Sequence, residues 1–188
     1  MNDLFAFEAD IERRRKRLPR RLQSLTNVAY IQAYSAQVGF DCKVIGLCKG
    51  GRPPTSYRDW RVSLTQACVS ISYYEAWQRS KRPDGSICFL LQRAYLHVYR
   101  THSSGAEEEL LSLHCDPYEP ETSPHHRYKI APHLHFDIAK DPWRNAHIPL
   151  CDGWQDQVLK SLDTLDDAIA RAIQFIVEEF IPLVPTYT

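Results

Sequence analysis

The sequence predicts an α+β fold: an antiparallel four- to five-stranded sheet with N-terminal and C-terminal helices packed on one face. Three observations carry this expectation. Val69, Ile71, Tyr73 and Trp77 alternate with Ser70, Ser72, Ala76 and Gln78, the period of a half-buried strand. The stretch "RPDGS" then offers Asp and Gly for a tight turn before "ICFLLQRAYLHVYR" resumes as extended chain. Near the C-terminus, Leu165, Ala168, Ile169, Ala172, Ile173, Ile176, Val177 and Phe180 form one apolar stripe at helical spacing.

In chain order, residues 3 to 37 have helical character, with Asp3 as N-cap and Pro19 dividing them into two pieces. A loop follows at "KGGRPPTSYRDWR", where Gly and Pro pairs block regular structure. The sheet is expected over 66–150. Helix competes with strand at 62–80, and the following turn favours strand. The "ICFLLQRAYLHVYR" strand reads as apolar on both faces, hence central. Further strands are expected at about 107–116 and 126–138, and "NAHIPLC" adds a short fifth. A helix over 164–181 closes the chain, with Thr164 as N-cap, Asp166 and Asp167 favoured by its positive end, and Pro182 stopping it. A chain of 188 residues suits one domain spanning 1–188.

Composition narrows the function. Lys plus Arg and Asp plus Glu balance at 23 each, so any attraction to an anionic partner must be local. No apolar run approaches a membrane span, and the acidic start does not resemble an export signal, so no membrane role and a cytoplasmic location are expected. Six cysteines stand without a Cys-x-x-Cys pair, which leaves a zinc ribbon unsupported; most are expected as small buried side chains.

Two segments carry candidate chemistry. In "APHLHFDIA", His133, His135 and Asp137 share one strand parity while Leu134, Phe136 and Ile138 share the other. "LLSLHCD" divides likewise, with Ser112, His114 and Asp116 opposite Leu111, Leu113 and Cys115. If the two strands are neighbours, the polar sets meet on the open sheet face, and His147 completes the group. His133, His135 and Asp116 are then the expected ligands of zinc or manganese, with His114 or His147 as fourth ligand or general base of a metal-dependent hydrolase acting on phosphodiesters. The opposing expectation is an ordinary solvated sheet face.

The second segment is "ERRRKRLPRRL", with seven cations in nine positions from Arg13 to Arg21. Arg13, Arg14, Arg17, Arg20 and Arg21, joined by Arg52, Arg58 and Trp60 of the following loop, are the candidate DNA or RNA contacts: arginines for phosphates, the indole for stacking on bases. A solvated helix face and a loop pinned by a buried Trp are the competing readings.

"PHLHF" resembles the second zinc motif of a family of secreted metallopeptidases, in which the second His of His-x-His binds zinc. That family also needs an upstream His and Asp in a Gly-rich sheet, and no such segment stands here. "LHCDPYEP" followed by "HLHFDIAKDPWRNAHIPL" resembles small bacterial proteins encoded beside mobile-element and phage-defence genes. The resemblance carries no activity. It implies a subunit acting with protein partners in a larger intracellular assembly, and a non-catalytic or nucleic-acid-associated subunit is the reading the sequence favours over the hydrolase.

Overall fold

The computed structural model describes residues 4–22, 31–49, 62–63, 69–117, 133–136, 146–149 and 159–184. Its longest strands are β5 (Val69–Lys81) and β6 (Ile87–Thr101), which settle the ambiguity at 62–80 in favour of strand for residues 69 onward. The turn between them works as its residues require. Gly85 takes a positive φ of 85°, Arg82 N–H donates to the Ser86 carbonyl at 2.9 Å, and Asp84 accepts from the Ser86 backbone at 2.9 Å. "HSSGA" repeats the device before β7 (Glu107–Cys115): Gly105 has φ 80°, and His102 N–H donates to the Ala106 carbonyl at 2.8 Å.

The remaining strands are β1 (Phe5–Ala6), β2 (Ile31–Val38), β3 (Cys42–Lys49), β4 (Val62–Ser63), β8 (His133–Phe136) and β9 (Ala146–Pro149). The sheet order is β2-β3-β5-β6-β7-β8-β9, with β1 beside β6 and β4 beside β5. Each of these pairings is antiparallel. The described residues thus hold nine strands rather than four or five, because residues 31–49 form a hairpin and two short segments fill gaps along β5 and β6. Residues 31–37, expected as helix, are strand β2. "IQAYSAQV" has neither a cap nor a helical stripe, and its register with β3 decides its conformation.

Helix α1 (Glu8–Leu22) runs unbroken through Pro19, which does not divide it. Only three residues follow the proline, so the missing N–H disturbs one terminal turn. Ile11, Leu18 and Leu22 are fully buried along one side of the helix. Helix α2 (Leu162–Phe175) begins at Ser161, not Thr164: the Ser161 side chain accepts from Thr164 N–H, and the Thr164 hydroxyl accepts from Ser161 N–H at 3.1 Å. It continues as a π turn (Ile176–Phe180) and a 3-10 turn (Ile181–Leu183) that contains Pro182. Of the expected stripe, Leu165, Ala168, Ile169, Ala172, Ile173 and Ile176 are buried, whereas Val177 is exposed.

Both helices share one core with a single face of the sheet. Ile71, Tyr73, Trp77, Leu91, Leu96, Val98, Leu111, Leu113, Cys115 and Leu134 supply that face. The core also encloses charge. Arg14 Nε donates to both oxygens of Glu75 at 2.7 and 2.8 Å, Arg14 Nη1 reaches Asp166, and Arg21 holds the other Asp166 oxygen at 2.8 Å. Tyr73 and Trp77 also donate to Glu75, the indole at 2.9 Å. Burial alone would disfavour the Arg14 charge, but Glu75, Tyr73 and Asp166 outweigh it and raise its pKa above the ordinary value. No described helix is long and apolar enough to cross a membrane.

Candidate metal centre

The opposite sheet face is built in two rows that cross the strands. Register sets Ser72, His97, Ser112 and His135 side by side in one row, and Tyr74, Tyr95, His114 and His133 in the other. Residues directly opposite on antiparallel strands share a face, with Cβ atoms about 4.5–5.5 Å apart. His114, His133 and His135 therefore gather as the sequence predicts. Their ring centroids lie 5.7 Å (His114 to His133) and 5.4 Å (His114 to His135) apart. Position 147 stands opposite His135 in the backbone register. Asp116 accepts a hydrogen bond from the Tyr95 hydroxyl, and Tyr95 stacks on His114 with centroids 4.3 Å apart.

The tightest donor set among the described residues differs from the predicted one. Ligand atoms of His97, Glu109 and His114 all lie within 4.8 Å of one another. Only His114 was expected there; His133, His135 and Asp116 surround the set rather than compose it. Glu109 arrives by way of a β-bulge. Val98 pairs with Leu111 and Tyr99 with Glu109, leaving Leu110 as the extra residue. Simple alternation would put Glu109 on the core side with Leu111. The bulge turns it over, and its carboxylate meets His97 Nδ1 at 3.0 Å.

The surroundings favour neutral imidazole and ionised carboxylate. Burial, reinforced by His97, His133 and His135, pushes the His114 pKa down to about 3. Burial pushes Glu109 up, but the hydrogen bond with His97 brings its carboxyl below the ordinary range. Such a pair of His donors with one carboxylate suits zinc and leaves a coordination position for water. Ser112 Oγ lies 3.0 Å from His114 Nε2, the spacing of a nucleophile and its base. Ser112 is fully buried and meets no substrate, so its role is to hold the ring. His97 is held by stacking, between Tyr74 at 6.3 Å and Tyr99 at 5.8 Å. Cys115 lies on the core side, as its parity predicts.

The basic segment divides by burial. Arg14 is 5 % exposed and engaged by Glu75 and Asp166, so it presents no charge to a partner. This corrects its expected role. A helix places one residue in every turn inward, and Arg14 falls on the line of Ile11, Leu18 and Leu22. Arg13, Lys16, Arg17, Arg20 and Arg21 are exposed. A cleft of about 240 Å³ between α1 and the start of α2 is lined by Arg13, Arg17 and Arg21 together with Asp10, Asp163 and Asp166, a largely self-neutralising set. Arg52, Arg58 and Trp60 lie outside the described residues.

His97 was legible in principle, since Tyr95, His97 and Tyr99 alternate with Ala94, Leu96 and Val98; reading that strand as apolar on both faces hid it. Glu109 carried no signal, because its place depends on the bulge. No known family, curated protein or solved structure matches the chain.

Proposed function

We propose that the open sheet face is a zinc-type hydrolytic centre, with His97, Glu109 and His114 as the metal donors. The carrying observation is the convergence of their three ligand atoms within 4.8 Å. A metal held there would lower the pKa of a bound water into the neutral range and supply a nucleophile for ester or phosphodiester cleavage. The chain's own residues do the rest. Ser112, Tyr95 and the Tyr74/Tyr99 pair fix the donor rings, and His135, stacked on His114, would serve as a base for a proton of that water.

Metal analysis of the purified protein, before and after chelation and zinc or manganese reconstitution, tests this reading. One equivalent of metal is expected, lost in His114→Ala and in Glu109→Ala, together with metal-dependent cleavage of a nitrophenyl ester or bis-nitrophenyl phosphate. Absence of metal at micromolar zinc would end the proposal. Metal without cleavage would leave a structural centre and favour the accessory-subunit reading, in which the chain acts with protein partners in a bacterial defence assembly. The exposed cations of α1 support that second reading.

A further inference from the structure

We infer that the outward face of α1 is a docking surface for nucleic acid, placed on the side of the sheet away from the His/Glu centre. At 100° per residue, positions 13, 16, 17 and 20 fall within roughly 100° of helical arc. That arc lies opposite the buried line of Ile11, Leu18 and Leu22. Lys16, Arg17 and Arg20 are exposed and form no ion pair among the described residues, although Arg17 also borders the cleft that holds Asp10 and Asp163; Arg13 is tied to Asp10 at 3.3 Å and its side chain remains 60 % exposed. All acids of the helix, Glu8, Asp10 and Glu12, precede the run. The helix dipole accounts for cations in the last turn, at Arg20 and Arg21, but not for those at 13–17.

The occupant follows from the shape of the charge. From residue 13 to residue 20 the helix rises about 10 Å, so the cations form a line, longer than one phosphate and suited to a chain of them. A lipid surface fits less well, because the large apolar side chains of α1, Ile11, Leu18 and Leu22, are committed to the core and no large one remains for insertion. Arg14 shows which side the line occupies. Its side chain enters the core face through Glu75 on β5, whereas His97, Glu109 and His114 meet on the reverse face of the sheet. Nucleic acid on α1 is therefore bound apart from the metal centre of the same molecule.

Anisotropy of a labelled mixed-sequence duplex, titrated with the full chain, tests this. Three to four phosphate contacts predict that affinity falls roughly 40- to 150-fold between 50 and 200 mM salt. The triple substitution Lys16→Glu, Arg17→Glu, Arg20→Glu should abolish binding while metal content and thermal midpoint stay unchanged; glutamines at the same positions serve if the glutamates unfold the helix. His114→Ala should leave duplex binding intact. No binding at 50 mM salt, binding that survives the triple substitution, or binding lost in a folded His114→Ala protein would each overturn the inference. Vesicles rich in phosphatidylserine, bound where duplex is not, would assign the surface to lipid instead.

Discussion

Two clusters of titratable side chains lie on opposite faces of the same sheet, and they are built on opposite rules. Beneath α1, one guanidinium sits between two carboxylates, and Glu75 receives donors from Arg14, Tyr73 and Trp77. Every charge there has a counter-charge. On the other face, four imidazoles and a carboxylate crowd together, and burial, reinforced by the neighbouring imidazoles, keeps His114 neutral. A buried ion cluster closed on itself holds elements together. A set of donor atoms within 4.8 Å of one another could hold a cation supplied from outside.

The comparison breaks first at Glu75. Glu75→Ala leaves Arg14 buried without its main counter-charge, and a loss of about 3–5 kcal/mol is expected in denaturant unfolding. A loss below 1 kcal/mol would show that the cluster is not structural. Next comes acid. The His114 pKa is lowered in the folded state, so its contribution is complete above about pH 6.5 and is lost as pH falls toward about 3, because the unfolded chain binds the proton first. The thermal midpoint of metal-free protein should decline from pH 7 to pH 4, with a shallower slope in His114→Asn. Equal slopes would remove the neutral-imidazole account.

Two smaller effects sharpen the contrast. Arg14→Met, Glu75→Leu and Asp166→Leu combined should cost less than Glu75→Ala alone, since no buried charge is left unpaired and Arg21, which loses Asp166, is exposed to water. Asp116→Asn weakens the hydrogen bond that anchors Tyr95 over His114, and about 1 kcal/mol or less is expected, with metal affinity falling more than stability.

The sequence showed much of this fold because its signals were local. The "RPDGS" and "HSSGA" turns needed Gly at positive φ, and the parity of "LLSLHC" and "HLHF" assigned each side chain to its face. What escaped was decided at a distance. Residues 31–38 are strand because β3 pairs with them, and Arg14 is buried because Glu75, 61 positions away, receives it. The candidate centre was half visible. His114 lay in a clean alternating strand, His97 in one read as apolar on both faces, and Glu109 behind a bulge that alternation cannot express.

That bulge has a consequence for how such centres are recognised. Glu109 and His114 are five positions apart, an odd interval that an unbroken strand would split between its two sides. A search template written from even strand spacings would discard this pair, whatever its chemistry. By the same reasoning, a register that drew Leu110 into the ladder would send Glu109 inward and dismantle the donor set, whereas deleting Leu110 would make the interval even and keep Glu109 on the face of His114. The identity of the centre is stored partly in a pairing register, which the spacing of its donors does not express.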